Sequence, residues 1–294
     1  MLSLTDQTGN VITHYQLPER IISLVPSQTE LLFDLGLTEE VIGITKFCVH
    51  PNKWFTTKTR IGGTKTINTA KVKSLQPDLI IANKEENVKE QIEKLRLIAP
   101  VYVSDISILE DALQMITDVG QLVGKDKKAE YLTSEIQARF DELETILSQY
   151  SKTNAQTDAV NLSTNQPNQR NQLLQPHQLT PLKTAYLIWK DPYMAAGGET
   201  FINDMMLRCG FQNIFEKFKR YPQVEISQLA TANCQLLLLS TEPYPFTQKH
   251  IDELQPYFPG TKVVLADGEM FSWYGSRLLH APDYLKKLIA LVQR

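Results

Sequence analysis

The chain has few cysteines, no long hydrophobic run and no large excess of charge of either sign. Its three cysteines, Cys48, Cys209 and Cys234, lie far apart, and none has a partner at zinc-binding spacing, so no structural metal site is predicted. Because no run of about 18 apolar residues occurs, no transmembrane helix is expected. The formal net charge of −3, without a basic stripe, argues against a nucleic-acid partner.

Catalytic signatures are missing as well. The sequence contains no GxSxG, HExxH, P-loop or GxGxxG motif. His50 with Glu85 or Glu86 is the only candidate pair for acid–base chemistry. We therefore expect no enzymatic activity and no intrinsic cofactor.

The N-terminus is typical of a β-hairpin. Residues 1–5 and 11–15 have the composition of short strands, and 6–10 that of a turn. A signal peptide would need basic residues followed by a longer apolar run. For the chain as printed, this interpretation predicts a cytoplasmic location; a processed form of an exported protein is the alternative.

Strands and helices alternate over the first part of the chain. Buried strands are predicted at 20–25, 41–45, 79–82 and 101–103, and a helix at 90–99. Ser27 is the expected N-cap of the first helix, with Glu30 completing a capping box, and the helix ends at Gly36. This alternation predicts a parallel sheet with helices on both faces.

The middle of the chain differs from both ends. Apolar residues in steps of three and four predict one long amphipathic helix over 125–150. Residues 151–183 are rich in Gln, Asn, Thr and Pro, lack glycine, and read as a flexible insertion. The alternation then resumes, so we predict an α/β lobe over 1–124, a connecting helix, the insertion, and a second α/β lobe over 184–294.

Several segments, in a fixed order, carry a resemblance to a known family. They are 20–30 (RIISLVPSQTE), 43–51, 61–63, 75–81, 197–203, 210–213 and 221–224. Together they resemble the class III periplasmic binding proteins of ABC importers for vitamin B12, ferric siderophores and haem, with the cobalamin-binding branch most similar. The likeness covers nearly the whole chain except 151–183, and it implies two Rossmann-like lobes joined by a single long backbone helix.

The resemblance also implies a function. We expect a non-catalytic, monomeric solute-binding protein that captures a corrinoid or a related metal chelate in a largely preformed interlobe cleft. Its partners would be an ABC importer permease and ATPase. The binding protein itself would lie in the periplasm or carry a lipid anchor. The family's two docking glutamates fall near Ala70 and Ser272, which cannot form salt bridges, so Glu19, Glu39 or Glu40 would have to replace them.

Ligands of open α/β sheets bind beyond the carboxyl ends of the strands. Aromatic side chains concentrate there, and a large planar macrocycle needs flat apolar walls with a few polar groups. The predicted ligand-binding residues are Ser27, Phe47, Cys48, His50, Asn83, Glu85, Glu86, Trp189, Tyr193, Tyr244, Phe246, Phe271, Trp273 and Tyr274.

Several of these residues have a simpler interpretation. His50 is a weak candidate for an axial metal ligand and is otherwise a surface histidine. Cys48 is either a soft donor or a small buried residue. Glu85 and Glu86 either grip the ligand or form a solvated pair at a helix start, and the resemblance gives Arg277 a structural role.

Two other functions remain open at this point. The first is an intracellular corrinoid or haem carrier that docks on no transporter, which the absence of an export signal motivates. The second is a chelatase-like enzyme acting on tetrapyrroles, because two α/β lobes around a cleft also describe such proteins.

Overall fold

The computed structural model describes residues 2–162 and 181–292, which form two compact units. Unit 1 comprises Met1–Ile136 and Ser272–Ala281, and unit 2 comprises Gln137–Phe271 and Pro282–Arg294. The chain therefore passes between the units at three points. The segment 272–281 belongs to unit 1, whereas the prediction placed it with the rest of 184–294.

The N-terminal hairpin is confirmed. Strands β1 (Leu2–Thr5) and β2 (Val11–His14) pair antiparallel. In the turn, Asp6 Oδ1 accepts hydrogen bonds from the backbone N–H groups of Thr8 and Asn10, at 2.9 and 2.8 Å. Asp6 Oδ2 accepts from the backbone N–H of Val103 at 3.2 Å. The turn therefore supplies a hydrogen-bond acceptor to a residue 97 positions further along the chain.

Unit 1 is built on a five-stranded parallel sheet. Its strands are β3 (Ile21–Ser23), β4 (Val41–Ile44), β5 (Thr59–Arg60), β6 (Leu79–Asn83) and β7 (Val101–Ser104), in the order β5-β4-β3-β6-β7. Its helices are α1 (Pro26–Asp34), α2 (Asn52–Thr57), α3 (Thr69–Ser74), α4 (Lys89–Arg96) and α5 (Leu109–Leu122). Every residue of β3, β6 and β7 is buried, as expected for strands covered on both faces.

The start of α1 differs from the prediction. The helix begins at Pro26 with Val25 at the N-cap, so Ser27 lies inside the first turn. Proline favours the first helical position because its fixed φ suits the helix and its missing N–H is not needed there. The predicted capping box of Ser27 and Glu30 is therefore wrong, and the Glu30 carboxylate bonds to Arg277 instead.

The long helix α6 spans Asp126–Leu162. It ends later than the predicted boundary at residue 150, and its buried side chains include Ala129, Ile136, Phe140 and Leu143. Residues 163–180, most of the predicted insertion, lie outside the described residues, so the predicted flexibility stays a prediction. Across 2–162 and 181–292, no helix is both long enough and apolar enough to span a bilayer.

Unit 2 contains the second sheet. Strands β8 (Leu182–Trp189), β10 (Phe211–Asn213), β11 (Leu236–Ser240) and β12 (Lys262–Ala266) are parallel in the order β10-β8-β11-β12, and β9 (Met194–Ala195) pairs antiparallel with β8. The helices are α7 (Phe201–Arg208), α8 (Ile226–Thr231), α9 (Gln248–Leu254), α10 (Gly268–Ser272) and α11 (Ala281–Val292). The predicted α/β fold with two sheets and one long helix is confirmed.

Candidate functional site

A buried network of polar side chains lies at the carboxyl ends of β6 and β7 in unit 1. Gln28 Nε2 donates to Ser104 Oγ at 2.5 Å, and Asn83 Nδ2 donates to the same oxygen at 3.0 Å. All three side chains are at most 1% exposed. A buried network of this kind fixes the backbone around it, because breaking any one bond leaves a polar group unpaired.

Asn83 holds the acidic residues of the loop after β6. Its Oδ1 accepts from the backbone N–H groups of Glu85 and Glu86 at 2.8 and 3.0 Å, and its own N–H donates to Asn87 Oδ1 at 2.9 Å. We therefore revise the predicted role of Asn83 from a ligand contact to a support. Burial raises the pKa of the half-buried Glu86 carboxyl, with Lys65 opposing the shift and Glu85 adding to it.

The raised pKa of Glu86 predicts a stability cost that depends on pH. A carboxyl that holds its proton more tightly in the folded state penalises folding once the pH exceeds its unfolded pKa, about 4.3. We expect Glu86→Gln to raise the free energy of unfolding at about pH 7.5, and to raise it much less at about pH 4. Urea denaturation at both pH values measures this, with the exposed Glu90→Gln as control. An equal gain at both pH values would contradict it.

Cys48 is fully buried beside two hydroxyl groups. Its Sγ lies 3.1 Å from the Oγ1 atoms of Thr29 and Thr45, and burial raises the pKa of the thiol, which keeps it protonated. Of the two roles considered for Cys48, soft donor or small buried residue, its burial favours the second. Within 2–162 and 181–292, no three His, Cys, Asp or Glu side chains gather closely enough to hold a metal ion.

Segment 272–281 brings Trp273 against His50 inside unit 1. The ring centres are 5.7 Å apart in an edge-to-face arrangement, and the guanidinium of Arg277 lies 4.7 Å from the centre of the Trp273 ring. Arg277 also donates to both carboxylate oxygens of Glu30, at 2.9 and 2.6 Å. These contacts agree with the structural role predicted for Arg277, and sequence reasoning missed its partner Glu30.

The same segment covers Ser27. Gly275 has φ +146° and packs so closely that an added Cβ would lie 3.0 Å from the carbonyl oxygen of Ser27. Ser27, Trp273 and Tyr274 are all less than 8% exposed. We therefore assign these three predicted ligand contacts a supporting role.

Unit 2 presents an aromatic cluster, defined as Trp189, Tyr244, Phe246 and His250. The Trp189 and Tyr244 ring centres are 5.6 Å apart, and those of Tyr244 and Phe246 are 4.7 Å apart. Trp189 ends β8 and is 41% exposed, while Tyr244 follows β11 and is half-buried. The half-buried Tyr193 packs against the same core. Aromatic side chains thus remain accessible after two neighbouring strands.

Two predicted contacts lie inside unit 2 instead. Phe271 is fully buried, with its ring centre 4.9 Å from that of Tyr186 and 6.3 Å from that of Tyr284. Phe246 is only 2% exposed. An enclosed ring offers no surface to a ligand, so we revise both residues to supports.

The predicted residues that keep accessible surface form two groups. Unit 1 contributes Phe47, which is 50% exposed, and the half-buried His50, Glu85 and Glu86. Unit 2 contributes Trp189, Tyr193 and Tyr244. Sequence reasoning missed His250, whose only signal is its position three residues after Thr247, where a capping residue is expected.

Comparison with known proteins gives a consistent result. The family described as periplasmic binding protein matches residues 21–256. The vitamin B12-binding protein of Vibrio campbellii is 25% identical over 226 residues, which are 76% of this chain and 70% of the relative. Two solved structures share the fold. A periplasmic heme-binding protein from Pseudomonas aeruginosa has 18% identity, a TM-score of 0.73 and coverage of 94% and 93%. The siderophore-binding protein BauB has 16% identity, a TM-score of 0.71 and 98% coverage of both chains.

Proposed function

Because this chain belongs to the periplasmic binding protein family, we propose that it is the substrate-binding protein of an ABC importer and captures a corrinoid of the vitamin B12 type or a related metal chelate. The family consists of binding proteins without catalytic activity. Two observations, one in each unit, support the ligand class: aromatic rings stay accessible in unit 2, and Asn83 holds the backbone of an acidic pair in unit 1.

The aromatic rings suit a large planar ligand. Trp189 and Tyr244 meet edge to face at 5.6 Å and keep part of their surface open. Such rings supply a large contact area at a low cost in side-chain entropy, because they rotate about only two χ angles. We propose Trp189, Tyr193 and Tyr244 as ligand contacts in unit 2, and Phe47 and His50 in unit 1.

The acidic pair favours an amide-bearing ligand over an anionic one. Asn83 holds the backbone N–H groups of Glu85 and Glu86, so the loop that carries the two carboxyl groups keeps its position. Carboxyl groups accept hydrogen bonds from the side-chain amides of a corrinoid. The propionates of haem and the charged groups of many ferric siderophores would be repelled by them.

We propose an importer permease with its ATPase as the partner. Ala70 is exposed on α3 and Ser272 is half-buried, and neither provides the carboxylate that the resemblance implies. Glu40 accepts from the backbone N–H of Thr38 at 2.7 Å, whereas the Glu39 side chain is 97% exposed and makes only a long ion pair with Lys58, at 3.9 Å, which is weak in water. Glu39 is therefore the better substitute of the two for an ionic docking contact.

Titration with four probes tests the ligand class. Cyanocobalamin, cobinamide, haemin and a ferric siderophore are each added to the purified protein, followed by calorimetry and visible absorption. We expect both corrinoids to bind at least about tenfold more tightly than the two anionic chelates. Tighter binding of haemin or the siderophore would overturn the proposed ligand class.

A further inference from the structure

Residues 41–77 carry formal charge of only one sign. Seven of the 30 Lys and Arg residues of the chain lie in this segment, together with none of its 33 Asp and Glu residues. Neutral residues separate the seven cations, so they form no continuous run in the sequence. Because the whole chain has a formal net charge of −3, this segment concentrates positive charge in an otherwise acidic protein.

The fold places most of these cations around the edge strand β5. The segment contains α2, β5 and α3, and β5 is the outermost strand of the first sheet. The chain steps outward from β4 to β5 and then returns to β6, so right-handed crossovers put α2 and α3 on opposite faces of the sheet. In agreement, Phe33 of α1 meets Trp54 of α2 at 5.3 Å, while α3 packs beside α4.

We call the cations on these three elements the basic edge. Lys58, between α2 and β5, is half-buried, and the other members are exposed. In the described part of the chain, the one carboxylate within 4 Å of any member is that of Glu39, 3.9 Å from Lys58. The protein itself therefore leaves most of this charge unbalanced. The basic edge consists of Lys53, Lys58, Arg60, Lys71 and Lys73.

Two members of the basic edge are held on aromatic rings. The guanidinium of Arg60 lies 4.4 Å from the centre of the Phe55 ring and donates to the Phe55 carbonyl oxygen, and Lys58 Nζ lies 5.6 Å from the centre of the Trp54 ring. The side chains of the other three bond to no residue among those that the structure describes. These three ammonium groups can therefore adapt to a partner without breaking an existing contact.

We propose that the basic edge binds the surface of a membrane that contains anionic lipids. Clusters of about four to eight Lys and Arg residues are attracted to such surfaces. Four of the five cations are lysines, which are strongly hydrated and depleted at protein–protein interfaces, so a fluid surface suits them better than an acidic protein. Charges on an edge strand also prevent pairing with another strand, but that role requires no uniform sign.

The position of Glu39 agrees with a membrane partner. Glu39 borders the basic edge through Lys58, and it is the residue proposed above for docking on a permease. Lipid headgroups surround a permease, so both contacts would lie on the same side of unit 1. This link rests on the proposed function, whereas lipid binding itself is tested without ligand or permease.

Sedimentation of the full chain with vesicles tests the proposal. The vesicles contain phosphatidylcholine alone or with about 30 mol% phosphatidylglycerol, at low salt. We expect the protein to sediment with the anionic vesicles only, and to be released when the NaCl concentration is raised to about 0.5 M. Equal sedimentation with both kinds of vesicle, or none with either, would overturn the proposal.

A triple variant shows whether the basic edge carries the binding. Replacing Lys53, Lys71 and Lys73 together by glutamine removes three positive charges and no hydrogen bond of the described residues. Since each cation near an anionic surface adds to the attraction, we expect the affinity for the phosphatidylglycerol vesicles to fall at least about tenfold.

The matched control replaces Lys127, Lys217 and Lys287 by glutamine. These lysines are also exposed, lie outside the basic edge, and give the same change in net charge. The control should bind the anionic vesicles within about twofold of the parent. Equal losses in the two triple variants, both folded by circular dichroism, would show that net charge alone determines binding and would overturn the proposal.

Two further measurements locate the contact and identify the partner. With anionic vesicles, backbone hydrogen–deuterium exchange of the parent should slow in α2 and α3 and stay unchanged in α7 of unit 2. Slower exchange confined to other elements would contradict the proposed surface. Poly-L-glutamate is the probe for an acidic protein. If it binds the parent where anionic vesicles do not, an acidic protein is the partner and the membrane proposal is wrong.

Discussion

Replacing Trp189 and Tyr244 together by alanine is expected to lower the affinity for cyanocobalamin about a hundredfold or more. Buried aromatic anchors each contribute about 2 kcal/mol or more to binding, and the two rings contact each other at 5.6 Å. Because the two rings are in contact, the free-energy costs of the two single substitutions should not be additive. Each single substitution should cost more than half of the free energy lost in the double variant. Calorimetric titration of the parent and the three variants measures this.

The control for this prediction is Tyr257→Ala. Tyr257 is an aromatic residue of the same unit, 71% exposed, in the 3₁₀ helix Gln255–Tyr257 rather than directly after a strand. Its removal should leave affinity and thermal stability unchanged. If the double variant is correctly folded by circular dichroism and binds within about threefold of the parent, the aromatic cluster is not the ligand surface.

Replacing Arg277 by methionine is expected to lower the free energy of unfolding by about 2–3 kcal/mol. The substitution leaves the Glu30 carboxylate, whose side chain is only 18% exposed, without its bidentate partner and removes the cation from the face of Trp273. The loss should be smaller than for a fully enclosed pair because both side chains keep some contact with water. Urea denaturation at constant pH measures it.

A double-mutant cycle with Glu30→Gln separates the ion pair from the packing of Arg277. The double variant should recover part of the loss, since no charge is then left unpaired. Arg139→Met is the matched control, because Arg139 pairs with Asp283 at 3.4 Å with side-chain exposures of 38% and 60%. Its cost should stay below about 0.5 kcal/mol. Equal costs for Arg277→Met and Arg139→Met would show that the Glu30–Arg277 pair has no special role.

The strands were predictable because they are short apolar runs bounded by turn residues, and β6 and β11 are buried throughout. The start of α1 was misjudged because proline at the first helical position outweighed the serine cap. The later end of α6 was missed because polar residues after position 150 favour a loop by composition alone.

The candidate site was only partly predictable. The positions of aromatic residues after strands could be read from the sequence, but their burial could not. Phe271 is enclosed by Tyr186 and Tyr284, whereas Trp189 is left open, and no local pattern distinguishes them. Glu30 and Arg277 are 247 positions apart, so the contact that places 272–281 in unit 1 has no local signal.

The three passages of the chain between the units limit how this protein can be dissected. A fragment that stops at Ile136 contains all five strands of the first sheet but lacks residues 272–281. In that fragment the Glu30 carboxylate lacks the guanidinium of Arg277, and Gly275 no longer packs against Ser27. Truncations that fail to bind ligand would then report an incomplete first unit, and they could not assign binding to the deleted half.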